Sequence, residues 1–435
     1  MLTRSAEHPE TSQPLACQAV MAMMALLTAI HVMGCANRTR KPGAHTGDLP
    51  RLAIKVENSS GEMRAKEPIT VSIPPTLAGR LEGRALELRT SSGTEIACQV
   101  DDVTGDGIPD ELFFELDLKP NETIALEATP LRGKVTGLVE KKVHALVQRT
   151  ERITRAAWES ELMAYCTYGA AKLDFLGKVS PRLSTEYFFG REPHSPHEFS
   201  STHGQDFMPI GMTLGGGGIF LSEDPRDRKR MSRPWTRNSF SKPDALSARA
   251  PYVTAEFEFT VLASGPLRAV VRADIKNWTT PFGRYEASQV YSIYANHRYT
   301  RGDIELTVVH SKAEDLLLGV GFRALPEERA FKATSSYCLA MSENVFDPAA
   351  SGVVARFHGM ALLYSPLAFK QALDTPEDGN NHIVLLDGIR GRTTIFYCAA
   401  WERDGEIASA QEWEQYVSAL AERLHNPPQV EFETR

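Results

Sequence analysis

Of 435 residues only six are cysteine and 8% are aromatic, and neither charge sign dominates: 48 Lys plus Arg against 55 Asp plus Glu gives a net charge of −7. A chain without a positive field has nothing to condense on phosphate, so nucleic acid is excluded as a partner. Past the N-terminal segment the cysteines Cys98, Cys166, Cys338 and Cys398 stand 60 residues or more apart with no CxxC pair, which excludes zinc-ribbon and thioredoxin-like chemistry. Buried free thiols are the plain reading of the four, and a Cys338 to Cys398 disulfide is permitted in an oxidising compartment. The chain also lacks GxxxxGK[ST], GxSxG and HExxH, and no internal repeat of 20 to 50 residues is visible. These absences remove nucleotide-binding loops, nucleophile-elbow hydrolases, zinc proteases and solenoids.

One long apolar stretch exists, Pro14 to Val32, and it ends in Val32-Met33-Gly34-Cys35. A small residue before cysteine at the end of a short apolar region resembles a bacterial lipobox, so residues 1–35 are read as a lipoprotein signal, Cys35 as the lipidated residue and 36–50 as a polar linker. An uncleaved signal anchor and a buried helix are the other readings. The first two export the protein to the cell envelope, periplasmic or outer-membrane, with membrane attachment through the anchor.

From Arg51 onward short runs with period two alternate with Gly, Pro, Asn and Asp turns. Leu52–Val56, Ile69–Ile73, Ala85–Arg89, Glu111–Leu116 and Thr123–Glu127 predict a first antiparallel layer over 51–135. Tyr252–Val261, Leu267–Ala273, Ala287–Tyr294 and Asp303–Val309 continue the pattern in a main domain over 136–435. Helical spacing is confined mainly to the C-terminus, where Trp413, Val417, Leu420 and Leu424 share one face behind a Ser409 cap. The expected fold is mainly β, a large antiparallel sandwich with a C-terminal helix.

The segment from Tyr187 to Arg249 breaks the strand rhythm, and long irregular segments in compact domains are where chemistry collects. His194, His197 and His203 fall within ten positions there, a quarter of the 12 histidines. Such a cluster supplies a general base, binds substrate or holds a metal, or is a set of ordinary loop histidines. His203 is the candidate base, with Gly204 allowing close backbone approach and Asp206 placed to orient the ring. Arg226–Arg230 with Arg233, Arg237, Lys242 and Trp235 would recognise an acidic glycan, or form a solvated basic loop. Gly215–Gly218 reads as a glycine-rich entry into a strand. Asp102, Asp106 and Asp110 are spaced like a calcium loop, the one candidate cofactor, although an Asp-Gly turn explains the same residues.

Several segments together resemble the bacterial domain of unknown function 4861 family, exported proteins encoded among polysaccharide-utilisation genes. They are the Asp102 to Phe114 stretch, Trp158-Glu-Ser-Glu-Leu-Met-Ala-Tyr-Cys-Thr-Tyr-Gly169, Gly204-Gln-Asp-Phe-Met-Pro-Ile-Gly211, and Gly265-Pro-Leu-Arg268 with Trp278. The resemblance implies a β-sandwich related to mutarotase-like carbohydrate-acting folds and a uronic-acid-rich oligosaccharide or polysaccharide as partner. Leu162 and Cys166 stand where the family often has arginines, so a substrate carboxylate would fall to other cations such as Arg152, Arg155 or Arg268. The expected activity is β-elimination on a uronate, by a lyase or dehydratase, with His203 as base, Tyr168 as acid and Asp206 supporting the base. Arg268 would pair with the carboxylate, Trp158 and Trp235 would stack sugar rings, and Glu159, His194 and His197 would contact substrate. A hydrolase or epimerase using Glu159 and Asp206, and a non-catalytic surface glycan-binding lipoprotein, are the alternatives.

Overall fold

A computed structural model describes residues 51–81, 85–131, 139–151, 153–169, 171–208, 213–227, 230–236, 252–324, 328–348, 350, 352–373, 381–387 and 391–434. The signal segment with Cys35, the linker, Arg152, Arg237 and Lys242 lie outside the described residues.

The main body is a β-sandwich. Its eleven-stranded sheet is built around the consecutive strands Val143–Arg149, Thr154–Ser160, Met163–Tyr168 and Lys172–Gly177, continued by Gly218–Ser222, Leu317–Arg323 and Asn381–Leu386. The facing eight-stranded sheet contains the long strands Arg268–Thr279, Gly283–Tyr294, Thr300–Ser311, Tyr337–Asp347, Gly352–Tyr364 and Arg392–Trp401. Aromatic rings fill the space between them. Trp158 stacks on Tyr291 at 4.5 Å between ring centres, Phe207 stacks on Trp401 at 5.4 Å, and the Trp158 indole N–H donates to Thr300 Oγ1 at 2.9 Å. Gly177 and Gly359 are small because of these rings, since a Cβ on either would sit within 2.0 Å of Trp401 or 2.6 Å of Trp413.

The N-terminal strands form a five-stranded and a three-stranded sheet around a hydrophobic cluster of their own, including Leu52, Ile54, Val71, Leu88, Leu112 and Leu126. The five-stranded sheet also recruits Gln429–Thr434 from the far end of the chain, paired along Leu52–Glu57. The helix Ala410–His425 begins as its sequence reads: Ser409 Oγ accepts from Glu412 N at 3.3 Å while Glu412 Oε2 accepts from Ser409 Oγ and Ala408 N, a reciprocal cap. It buries Trp413, Val417, Leu420 and Ala421 on the strands Tyr337–Asp347 and Gly352–Tyr364. The four described cysteines are free thiols, so the permitted Cys338 to Cys398 bridge is not formed.

Arg268, expected at a substrate carboxylate, instead joins the N-terminal sheets to the sandwich. It is 3% exposed, its Nε donates to Asp101 at 2.8 Å and its Nη1 to Glu111 at 2.6 Å. Gln99 completes the clamp by accepting from Leu267 N and Arg268 N and donating to the Arg268 carbonyl. Removing one partner of such a pair strands a buried charge. Arg268→Ala is therefore expected to cost about 3–5 kcal/mol of unfolding free energy, read from the denaturant midpoint, and a loss under about 1 kcal/mol, the level of a surface ion pair, would refute the clamp.

Candidate active site

Directly opposed residues of antiparallel strands share a sheet face, so register sorts the side chains. Trp158, Tyr165 and Phe175 are opposed in one row and enter the sandwich core. The alternating residues lie on the outer face in three rows: Arg155, Tyr168 and Lys172; Ala157, Cys166 and Asp174; Glu159, Ala164, Leu176 and Asp206. A strand with one solvated face would show alternating burial. Met163–Tyr168 is buried at every position, so these outer-face groups are held in a low-polarity layer.

Desolvation then decides their protonation. Lys172 is 1% exposed, and burial brings its ammonium down to about 7, with Asp174 opposing and Arg233 and Arg323 assisting the fall. Asp174, half-buried, is pushed up to about 7 by burial, against the pull of Lys172 and Arg155. Its Oδ1 is buried with no hydrogen-bond partner among the described residues. Burial and then Asp174 hold Asp206 well above the carboxylate range. The Lys172 ammonium lies 5.6 Å from the Tyr168 ring centre, and Arg155 lies over Phe189 at 4.8 Å.

Glu159 shares this face but not this chemistry. It is fully buried and paired with Lys178, and it accepts from Ser184 N at 2.7 Å and Thr185 N at 2.8 Å at the start of the short helix Thr185–Phe189. Burial raises its pKa, yet Lys178 and these donors together hold the carboxyl below its usual range. All its capacity is spent, so Glu159 does not contact substrate, and a Glu159–Asp206 catalytic pair is not available.

The three histidines separate. His194 and His203 both stack on Tyr187, at 3.9 and 4.0 Å between ring centres and within 9° and 2° of parallel. His203 Nδ1 meets Thr202 Oγ1 at 2.9 Å, and burial followed by Arg182 keeps the ring below its ordinary pKa. Asp206 faces His197 instead, whose Nδ1 lies 3.8 Å from Asp206 and 3.4 Å from Asp347. Asp206 therefore does not orient His203.

Other expectations are corrected by burial. Trp158 is 0% exposed and Trp235 9%, and neither offers a ring face for stacking a sugar. In the basic stretch Arg226 and Arg230 pair with Asp224, and Arg230 covers Phe282 at 4.0 Å. The Asp102 loop takes the turn form. Asp102 accepts from Gly105 N and Gly107 N, Asp110 from Val103 N and Thr104 N, and Asp106 from Ile108 N, so a calcium ion there would compete with backbone donors for the same oxygens. Sequence reasoning passed over Lys172, Asp174 and Asp347. The signal for the first two was present in Lys172-Leu-Asp-Phe-Leu176, where two opposite charges two residues apart in an apolar run must share one face.

The family model described as "Domain of unknown function (DUF4861)" matches residues 56–430. A search of curated proteins gives no match. Among solved structures, an alpha-mannosidase from Enterococcus faecalis V583 superposes with a TM-score of 0.48 at 11% identity over 88% of this chain and 46% of that one. A glycosyl hydrolase family 38 protein from Enterococcus faecalis gives 0.47 at 11% identity, over 88% and 47%. The chain thus spans less than half the length of either.

A neutral Lys172 leaves a pH signature. Its pKa falls on folding from 10.5 to about 7, so between those values the unfolded chain binds the extra proton and stability rises with pH. The stability gained by Lys172→Met over the parent is expected to be largest at and below pH 7 and to shrink toward pH 10.5, measured by chemical denaturation across that range. A pH-independent difference would show that Lys172 folds as an ammonium.

Proposed function

The chain belongs to the domain of unknown function 4861 family, and from that premise we propose that it is a carbohydrate-active enzyme of the cell envelope, anchored through Cys35, that cleaves uronate-containing oligosaccharides by β-elimination as a lyase or dehydratase. The observation that carries the reading is the outer-face pair Lys172 and Asp174, each brought to about 7 from opposite directions, beside Tyr168 and Arg155.

Elimination requires a cation to neutralise the uronate carboxylate, a base for the C5 proton and an acid for the departing oxygen. In this proposal Arg155, with the charges of Arg233 and Arg323 that bear on Lys172, stabilises the carboxylate as it takes up electron density. The Lys172 amine takes the C5 proton. The C5–H electron pair becomes the C4–C5 double bond, the C4–O bond breaks, and the leaving oxygen takes a proton from Asp174. The lysinium then returns its proton to the Asp174 carboxylate, restoring both groups. Tyr168 borders the amine and is the second proton donor within the row. In this reading the base is Lys172 in place of His203, whose ring stacks on Tyr187 and whose Nδ1 meets Thr202.

The test follows ultraviolet absorbance of the conjugated double bond as the protein meets uronate oligosaccharides, with and without calcium. Lys172→Met is expected to lower turnover by at least about a hundredfold, the scale of a lost general base, while substrate binding persists. Loss in His203→Ala instead returns the base to the histidine loop. Binding without any absorbance change in the parent leaves a glycan-binding lipoprotein or a hydrolytic enzyme, separated by product analysis.

A further inference from the structure

Three large apolar side chains that folding leaves in water gather at one place. Phe346 and Val353 oppose each other across neighbouring strands and are 51% and 47% exposed, and Phe199, 49% exposed, lines one opening together with Val353. Between Phe199 and Val353 lies a cavity of about 490 Å³, walled also by His197, Glu198, Gln205 and Arg403. The Arg403 guanidinium lies over two rings, 4.4 Å from the centre of Phe199 and 5.3 Å from that of Trp401. Its charge partner Glu402 stays at 3.8 Å, beyond hydrogen-bond distance, and Glu402 spends itself on the backbone N–H groups of Arg356 and Phe357. Arg403 makes no hydrogen bond among the described residues, so its N–H donors are left for a ligand in the cavity that it lines.

The cavity adjoins the acid–base layer. His197, in its wall, reaches Asp206 and Asp347, and Asp206 is opposed to Leu176, two residues along the strand from Asp174. A wall that carries both apolar surfaces and polar groups suits a ring with a C–H face and a hydroxylated edge, and does not suit a purely apolar or purely ionic ligand. We propose that this cavity is a further saccharide subsite that takes a pyranose ring of the chain being processed. Phe199 and Val353 bear on its C–H face, while Arg403 binds a carboxylate or hydroxyl and Gln205 and Glu198 bind hydroxyls. The inference rests on the carbohydrate reading above and adds to it a residue-level determinant of chain length.

Calorimetry on the full chain with a galacturonate disaccharide and a longer galacturonate oligomer tests it. Phe199→Ala and Arg403→Gln are each expected to weaken the longer oligomer about tenfold, the upper range for one stacking contact, and to leave the disaccharide unchanged. In turnover the loss is expected in KM for the longer oligomer, with kcat unaltered. Equal losses on both probes, or none on either, overturn the subsite. Parent turnover with unaltered binding in both variants rejects the subsite while the elimination reading stands. Selective loss of oligomer binding in a parent without turnover rejects elimination while the subsite stands. Both side chains are surface groups, and melting temperatures matching the parent's establish that the variants fold.

Discussion

A sheet covered on both faces gives its polar side chains no water in which to ionise, and the chemistry of this protein follows from that constraint. The inner face of Met163–Tyr168 is committed to the aromatic core through Tyr165, packed edge-on to Phe175 and parallel to Trp158. The outer face carries Tyr168, Cys166 and their cross-strand partners, of which Lys172 is buried and Asp174 half-buried. Charged forms lose solvation there, so lysine tends to release its proton and aspartate to keep one. The two tendencies converge near neutrality because the groups lie two residues apart and each opposes the other's shift.

The same face contains a second lysine and acid that end differently, and the contrast identifies the cause. Glu159 receives Lys178, two backbone N–H groups and the hydroxyls of Ser184 and Thr185, so its charge is solvated by protein in place of water. Asp174 has a buried oxygen with no such donor. Burial alone does not make a group reactive; burial without a full set of donors does. Glu159 therefore reads as the pin that fixes the helix Thr185–Phe189 on the sheet. Asp174 is the acid on this face whose charge the protein leaves incompletely solvated.

Much of the fold was legible because period-two alternation survives wherever a strand has one wet face. Leu52–Glu57, Glu111–Leu118 and Gly283–Tyr294 lie where alternation places them. The C-terminal helix was equally legible from its cap and its 3.6-residue spacing. The site was harder for the opposite reason. Thr154–Ser160 and Met163–Tyr168 are buried on both faces, so their sequences do not alternate, and Trp158 looked like a sugar platform when it is a core ring. The histidine cluster attracted attention by density, yet proximity in sequence divides in space. His194 and His203 share Tyr187, and only His197 reaches Asp206. Arg268 was a candidate carboxylate partner through the family resemblance, and only the fold reveals that Asp101 and Glu111 already occupy it.

Burial also explains why substrate recognition and chemistry would sit on different kinds of surface. The acid–base layer needs a dry, rigid setting, and strands pinned by Trp158, Tyr165 and Phe175 provide it. Recognition of a long, hydrated chain needs accessible rings and donors, and these occur where Phe199 and Arg403 meet the edge of the sandwich. His197 belongs to both, lining the cavity with one side of its exposed ring while Nδ1 faces the buried carboxyls of Asp206 and Asp347. A ligand occupying the cavity would cover the exposed His197 ring, the group that stands between the cavity and the carboxyls of Asp206 and Asp347.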